Sequence, residues 1–295
     1  MTNEKRSIVF FGSGPVAAES LRQLKDVFLI EAVVTKPTTK TEMAKACPGV
    51  PLLLSSNKSE LDVVFATNKF ESSVGILIDF GIIVSTKIID AFEKGIVNSH
   101  FSLLPQLRGA DPISFAILEN KTTTGVSLML LVEAMDEGPI LSQSEFVLEG
   151  NETTHTLTSS LIDLSVNDLK KTLPGWIDGE ATTTQQTGVP SYTRKLTKQD
   201  GTIDWNKSAA NIEREIRAYC GWPKSSTTFG NIDCIVTEAS VDTSAGVPGD
   251  LFVLSKKLAV HCGSDSLVIE SIKPAGKNDM SSTAFLAGYG DRIGL

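Results

Sequence analysis

The first half of the chain passes repeatedly from a short apolar run, through glycine or proline, into a segment with helical spacing. Ser7–Phe11 ends at Gly12–Gly14, and Pro15 then opens a helical pattern. Proline suits this position because its fixed φ fits a helix and its missing N–H would have no partner there. Leu29–Val34 and Val74–Phe80 resemble parallel strands that are covered on both faces. The alternation predicts an α/β fold with a doubly wound, mostly parallel, Rossmann-like sheet that binds its ligand at the carboxyl edge of the strands.

The glycine turn after the first strand does not indicate a dinucleotide site. Gly12-Ser13-Gly14 lacks the third glycine, and the acidic residue about twenty positions further on, that such a turn contains. NAD binding is therefore disfavoured. A tight turn whose backbone N–H groups lie near another ligand is still consistent with the sequence.

The second half of the chain has a different pattern. Ala181–Ser191 has no hydrophobic periodicity, which is typical of a linker. One helix follows at Ser208–Tyr219, and then come short β-rich runs separated by glycine and proline, which predict a small, OB-like β-barrel. At 295 residues the chain is long enough for two domains. We expect an α/β domain at residues 1–180, a linker at 181–193 and a C-terminal β-barrel domain at 194–295.

Composition indicates a soluble globular protein, with 41% hydrophobic and 21% charged residues. No apolar run reaches the roughly 18 residues of a membrane helix, and Met1–Arg6 is too polar to begin a signal peptide. The four cysteines lie far apart without C-x-x-C spacing. We therefore expect reduced thiols, a cytoplasmic location and no bound metal.

The charge balance excludes a protein that binds nucleic acid through its overall charge. Its 27 basic and 35 acidic residues give a net charge of −8. One local stretch, Tyr192–Lys224, is richer in basic than in acidic residues. By composition alone it is better explained as a solvated helix face, with pairs such as Glu213 and Arg217, than as a contact surface.

Three polar residues around one loop form the candidate site. Asn98 and His100 precede Ser102–Pro112, a loop rich in glycine and proline, and Asp136 follows the next predicted strand. The amide can donate to a developing oxyanion, the imidazole can accept a proton near neutral pH, and the carboxylate can orient the imidazole or a water. These are the requirements for direct transfer of an acyl group to an amine.

A covalent mechanism and a metal site fit these residues less well than direct acyl transfer does. Ser99 and Ser102 do not lie in a nucleophile-elbow pattern, so a covalent mechanism is disfavoured. Metal-assisted hydrolysis would need more ligands. Asn98 could instead cap the following turn, with His100 merely its neighbour, and spacing alone does not decide between this role and acyl transfer.

A longer motif points to a family. Residues 98–109 match N-x-H-x-S-L-L-P-x-x-R-G, and Asp136 follows in a turn that contains Gly138. This region resembles the formyltransferases that use 10-formyltetrahydrofolate. The resemblance implies that Asn98, His100 and Asp136 are the catalytic set and that 10-formyltetrahydrofolate is the co-substrate. It further implies that folate is contacted by Phe80, Gly81, Ile82, Ser102, Leu103, Leu104 and Pro105.

The C-terminal part extends the resemblance over nearly the whole chain. Arg194-Lys195-Leu196, Ile203-Asp204-Trp205 and Trp222-Pro223 are similar to the C-terminal domain of methionyl-tRNA formyltransferases. This likeness implies that the formyl group passes to the free amine of initiator methionyl-tRNA, for translation initiation. It changes the interpretation of the basic stretch, because that domain lies along the tRNA in the family. The implied tRNA contacts are Lys36, Lys40, Arg194, Lys195, Lys198, Arg214 and Arg217.

The chain departs from the family in one region that concerns tRNA. The basic loop that usually follows the second strand is reduced here to Lys36–Lys40, which runs almost directly into a helix. We expect the protein to be a monomer.

Two alternatives to formyl transfer to methionyl-tRNA remain. One is a formyltransferase of the same family that acts on an amino sugar nucleotide, and the other is a non-catalytic protein that binds folate or tRNA.

Overall fold

A seven-stranded sheet organises the first half of the chain in the computed structural model, which describes residues 5–295. Its strands are β1 (Ser7–Gly12), β2 (Leu29–Thr35), β3 (Leu52–Leu54), β4 (Gly75–Ile78), β5 (Ile96–His100), β6 (Thr123–Leu130) and β7 (Ile140–Val147). Their order is β3-β2-β1-β4-β5-β6-β7. The first five strands in this order are parallel, β6 pairs antiparallel with β5, and β7 pairs antiparallel with β6. The strand order reverses between β1 and β4, where doubly wound sheets form a ligand crevice.

Six helices accompany this sheet in sequence. They are α1 (Pro15–Leu24), α2 (Lys40–Ala46), α3 (Lys58–Thr67), α4 (Thr86–Ile89), α5 (Pro112–Leu118) and α6 (Thr154–Ile177). Pro15 occupies the first helical position of α1, as predicted, and Pro112 occupies that of α5. A 3-10 turn at Pro37–Thr39 leads into α2.

An aromatic cluster fixes the carboxyl end of β4. The ring of Phe11 stacks on Phe65 with centroids 5.6 Å apart and meets Phe80 edge-on at 5.7 Å. Phe70 and Phe92 complete the cluster. Phe80 lies one residue beyond Asp79, which follows β4, and it is almost completely buried. Its burial anchors the loop that leaves the sheet at this point.

The C-terminal part contains a second, antiparallel sheet. Its strands are β8 (Ser225–Phe229), β9 (Ile232–Asp242), β10 (Leu251–Leu254), β11 (Lys257–His261), β12 (Ser266–Pro274) and β13 (Met280–Ser281), in the order β10-β11-β12-β9-β8 with β13 beside β12. The helices α7 (Ala209–Ala218) and α8 (Ser282–Ile293) contribute to its core through Ile212, Ile216 and Phe285. The predicted fold class is confirmed: a mostly parallel α/β sheet followed by a small antiparallel β fold.

The chain forms two compact units. The first unit contains residues 5–112, Thr123–Val147 and Thr158–Thr193, and the second contains Ile113–Thr122, Leu148–Leu157 and Arg194–Leu295. Residues 181–193, which were predicted as a linker, lie in the first unit and donate or accept several hydrogen bonds there.

Some elements differ from the sequence prediction. The strand β7 and the helix α8 were not predicted, since β7 mixes polar and apolar residues along a half-exposed edge of the sheet. The amphipathic spacing of Thr153–Lys171 predicts a helix that ends at Lys171. The observed helix α6 continues through Pro174, whose ring removes one N–H without ending the helix. The alternating apolar residues of Gly125–Glu133 predict a strand, whereas β6 spans Thr123–Leu130.

None of the four cysteines forms a disulfide. Cys47, Cys234 and Cys262 are buried, Cys220 is half-buried, and all four are free. Burial raises the pKa of both Cys234 and Cys262 to about 11. Of the helices within residues 5–295, none combines the length and the apolar character that crossing a membrane requires.

Candidate active site

Two of the predicted catalytic residues lie at the carboxyl end of β5. Asn98 and His100 are two positions apart on this strand, so their side chains project from the same face, with α-carbons about 6.6 Å apart. Asn98 pairs with Leu77 of β4 and Met129 of β6. Each of the two side chains is only 7% exposed. A central, doubly paired strand therefore holds both groups at the edge of the sheet where a ligand can approach.

The side-chain amide of Asn98 has no hydrogen-bond partner among residues 5–295, although the residue is almost buried. Buried polar groups in proteins are nearly always hydrogen-bonded. Its N–H groups are therefore available to a ligand oxygen. The alternative role of Asn98, capping the following turn, would require a hydrogen bond from its side chain to that turn, and the described residues contain none.

The imidazole of His100 is held by the loop that follows it. Its Nε2 lies 2.9 Å from the carbonyl oxygen of Leu107. A carbonyl can only accept, so Nε2 carries the proton and donates. In the neutral ring the lone pair is then on Nδ1, which lies 3.8 Å from Oδ2 of Asp136. That separation is longer than a direct hydrogen bond and leaves Nδ1 free to accept a proton.

Asp136 reaches His100 from the turn after β6. Its carboxylate Oδ2 accepts from the backbone N–H of Gly109 at 2.8 Å. The turn packs so closely on the end of β6 that a Cβ at Gly138 would lie 1.7 Å from the carbonyl oxygen of Leu130. Gly109 has φ +113°, and a Cβ there would lie 2.5 Å from the carbonyl oxygen of Thr193. Both glycines are needed for the backbone to bring the carboxylate to the histidine.

The loop predicted to contact folate is braced from within. Ser102 is fully buried and donates from Oγ to the carbonyl of Gln106 at 2.6 Å. Ser127 donates to the carbonyl of Ser102 at 2.6 Å and accepts from the backbone N–H of Leu104 at 3.0 Å. Gln143 donates to the carbonyl of Leu104 at 2.8 Å. The side chain of Ser102 therefore shapes the loop from within. The surface of the loop is formed by Leu103 and Pro105, which are half-buried, and by Gln106, which is exposed.

The second predicted folate segment follows β4. Phe80 belongs to the aromatic cluster, Gly81 is exposed, and Ile82 is half-buried. Asp79 precedes them with φ 47° and was not predicted as a site residue. Desolvation raises the pKa of its carboxyl group, although the ammonium of Lys36 opposes the shift. The side chain of Asp79 is nevertheless exposed to solvent.

The predicted tRNA contacts differ in their availability. Lys36 and Lys40 belong to the first unit and the other five to the second. Lys195 and Lys198 are exposed, and no described residue forms an ion pair with either. Arg194 pairs with Asp200. Arg217 pairs with Glu213 and also donates to a backbone carbonyl at 2.8 Å, so its guanidinium is used internally.

A polar cavity of about 580 Å³ lies within the second unit and shares no residue with the Asn98 site. Arg194, Lys207 and Arg214 line it together with Asp200 and Glu215. Among residues 5–295 no group of three or more His, Cys, Asp or Glu side chains could hold a metal ion.

Sequence reasoning missed Gln186, whose side chain contacts both Arg108 and the Asp136 turn. It lies in the segment predicted as a linker. No periodicity or local motif marks it, because its partners are far away in sequence. Arg108 itself was part of the matched motif, without an assigned role.

The chain matches two known sequence families. Residues 5–173 match the Formyl transferase family, and residues 195–290 match the family described as Formyl transferase, C-terminal domain. The protein named methionyl-tRNA formyltransferase from Geobacillus thermodenitrificans is 33% identical over 100% of this chain and 97% of its own length. That of Myxococcus xanthus is 31% identical over 96% of this chain and 95% of its own.

A solved structure shares the fold. The N-formyltransferase of Helicobacter canadensis, in complex with folinic acid and dTDP-3-aminofucose, superimposes with a TM-score of 0.66 and 17% identity. The superposition covers 90% of this chain and 98% of that one. Because residues 5–173, more than half of the chain, match the Formyl transferase family and residues 195–290 match its C-terminal domain, the chain belongs to the formyl transferase family.

Proposed function

We propose that this protein transfers the formyl group of 10-formyltetrahydrofolate to the free amine of initiator methionyl-tRNA. The observation that carries the proposal is the unpartnered amide of Asn98 beside the His100–Asp136 pair. An oxyanion donor next to a proton acceptor is what direct transfer to an amine requires. The named relatives, which match this chain from end to end, support methionyl-tRNA as the acceptor.

The proposed reaction uses each of the three side chains once. As the amine attacks the formyl carbon, Asn98 donates to the carbonyl oxygen while negative charge develops on it. His100 accepts the amine proton at Nδ1, and the carboxylate of Asp136 at 3.8 Å stabilises the imidazolium. When the carbon–N10 bond breaks, His100 returns the proton to N10 of tetrahydrofolate. The formyl group and one proton have then exchanged partners.

Folate would meet mainly backbone and apolar groups. The side chains of Phe80 and Ser102 are used inside the protein. Gly81, Ile82, Leu103 and Pro105 then supply the contact, whereas Leu104 is buried and supports the loop from within. The solved relative from Helicobacter canadensis was crystallised with folinic acid, which supports a folate site in this fold.

The experiment is transfer of labelled formyl to methionyl-tRNA. Asn98→Ala and His100→Ala should each lower kcat by about a hundredfold or more, with folate binding largely retained. Ser99→Ala is the matched control, because Ser99 lies between them on the opposite face of β5 and bonds to Ser165. It should keep the turnover of the wild type.

Two results would overturn the proposal. One is wild-type turnover in both variants. The other is transfer to a dTDP-linked amino sugar with none to methionyl-tRNA, which would establish the alternative acceptor. Side-by-side rates on initiator and elongator methionyl-tRNA then measure whether the short Lys36–Lys40 segment still supports discrimination.

A further inference from the structure

Residues 184–193 are hydrogen-bonded to the loop after His100 and to the turn that contains Asp136. Thr184 exchanges two backbone hydrogen bonds with Ile140, at 2.7 and 2.8 Å, along the edge of the first sheet. Further on, the carbonyl of Ser191 accepts from the backbone N–H of Arg108 at 2.9 Å, and the hydroxyl of Ser191 accepts from that of Leu107 at 2.9 Å. The segment therefore braces the loop whose Leu107 carbonyl holds His100.

Gln186 is the one side chain of this segment that bonds to the Asp136 turn. Its Nε2 donates to the backbone carbonyls of Asp136 and Gly138, each at 2.8 Å. Its Oε1 accepts from Nη2 of Arg108 at 2.7 Å and from Nε at 3.3 Å. A primary amide has two donor hydrogens and two acceptor lone pairs, so this side chain is saturated.

The two carbonyls depend on Gln186 more than Arg108 does. No other donor within residues 5–295 bonds to the carbonyl of Asp136 or of Gly138. Arg108, in contrast, also donates to Glu137 at 2.8 Å and to the hydroxyl of Tyr192 at 3.3 Å. Loss of the amide donors would thus release the turn, whereas Arg108 would keep two partners.

The turn requires such support because of its backbone conformation. Asp136 has φ 54°, in the left-handed region that costs an L residue roughly 1–2 kcal/mol. The carboxylate that this conformation presents accepts from Gly109 and lies 3.8 Å from Nδ1 of His100. Bonds to the carbonyls on both sides of the turn oppose its relaxation to a conformation in which the carboxylate would move away.

We infer that Gln186 is a positioning residue, which holds the carboxylate of Asp136 in the place where it can stabilise the protonated imidazole of His100. The inference rests on the proposed function, because its effect is measured in formyl transfer. It assigns no contact with substrate to Gln186 itself.

Two substitutions of Gln186 distinguish the role of its amide donors from that of its amide acceptor. Gln186→Glu keeps the shape and the acceptors for Arg108 but removes both donors and places a carboxylate against two carbonyl oxygens. Gln186→Met removes donors and acceptors together. Both should lower kcat by about tenfold or more, since a displacement of about 1 Å in a catalytic group can cost a hundredfold. The KM for each substrate should stay within about twofold of the wild-type value.

The neighbouring glutamine provides the matched control. Gln185 is exposed, and none of the described residues hydrogen-bonds to its side chain. Gln185→Met should therefore keep wild-type kcat and KM. Thermal unfolding of each variant shows whether it is folded at the assay temperature, and Gln186→Glu carries the test if Gln186→Met is not.

A double-mutant cycle distinguishes positioning from a general structural effect. Asp136→Ala removes the carboxylate, so adding Gln186→Met should cause no further loss of kcat if Gln186 acts through it. Additive losses would overturn the inference, as would wild-type kcat in Gln186→Glu. A wild-type rate in Asp136→Ala would instead contradict the proposed role of Asp136, and that result is independent of Gln186.

Discussion

The side-chain amide of Asn98 bonds to no other described residue, although Asn98 is nearly buried. Its oxygen and nitrogen are not among the fully buried, unpartnered side-chain atoms of residues 5–295, so they keep contact with solvent. The ladder of β5 fixes the position of Asn98 and holds its amide where a ligand can accept a hydrogen bond from it. The amide therefore contributes little to folding stability, in conflict with the usual structural role of a nearly buried polar group.

This conflict predicts different stabilities for two neighbouring substitutions. Asn98→Ala removes no hydrogen bond to residues 5–295, so it should change the free energy of unfolding little or raise it. Ser99→Ala breaks the 2.6 Å bond to Ser165 and leaves that hydroxyl alone in the interior, which should cost about 1–3 kcal/mol. Urea unfolding measures both. A larger loss in Asn98→Ala than in Ser99→Ala would show that the amide has a structural partner.

At the scale of elements, the 3-10 turn at Lys198–Gly201 depends on one carboxylate. Asp200 forms a capping box with Thr197, accepting from its backbone N–H at 2.7 Å. Hydrogen bonding from Arg194 is the main cause that lowers the pKa of Asp200 far below its ordinary value, with desolvation acting against it and Thr197 adding to it. The turn is therefore most stable when this carboxylate is ionised.

The lowered pKa of Asp200 determines how its contribution to folding stability depends on pH. Because the folded pKa of Asp200 lies below the unfolded value of about 3.9, its contribution is complete above that value and is lost as pH falls towards the folded pKa. Asp200→Asn should therefore lower the free energy of unfolding by about 1–2 kcal/mol at pH 7. The difference in the free energy of unfolding between Asp200→Asn and the wild type should become smaller below about pH 4.

The control is Asp291→Asn, an exposed carboxylate at the end of α8. Urea unfolding at pH 7, 5 and 3 measures all three proteins. An equal loss for Asp200→Asn at pH 7 and pH 3 would mean that the ionised carboxylate does not stabilise the turn.

Elements with one regular pattern could be predicted from sequence, and elements fixed by distant partners could not. The strands β1, β2 and β4 are continuous apolar runs, and Asn98 and His100 follow from a local motif on β5. The strand β7 lacks a clear pattern because it is an edge with one half-exposed face. The role of segment 184–193 depends on hydrogen bonds to residues some 50 to 80 positions away, such as those of Gln186. No local pattern encodes such a contact.

At the scale of the whole molecule, the net charge of −8 means that the proposed tRNA substrate would have to be held by local cations rather than by the overall charge. Lys195 and Lys198 are exposed and have no ion-pair partner within residues 5–295, whereas Arg217 is engaged by Glu213 and a carbonyl. Free cations bind phosphate without first breaking an internal pair, so the basic stretch should not act uniformly.

Lys195→Ala and Lys198→Ala should each raise the KM for methionyl-tRNA while leaving kcat and the KM for 10-formyltetrahydrofolate unchanged. Each lysine that contacts a phosphate releases condensed counterions, so its removal should reduce the slope of log affinity against log salt by about one. Arg217→Ala is the contrasting variant and should mainly lower the melting temperature, because its guanidinium bonds within the protein. Binding of methionyl-tRNA across a series of salt concentrations measures the slope. An unchanged slope in the Lys195→Ala, Lys198→Ala double variant would show that the tRNA backbone is bound elsewhere on the protein.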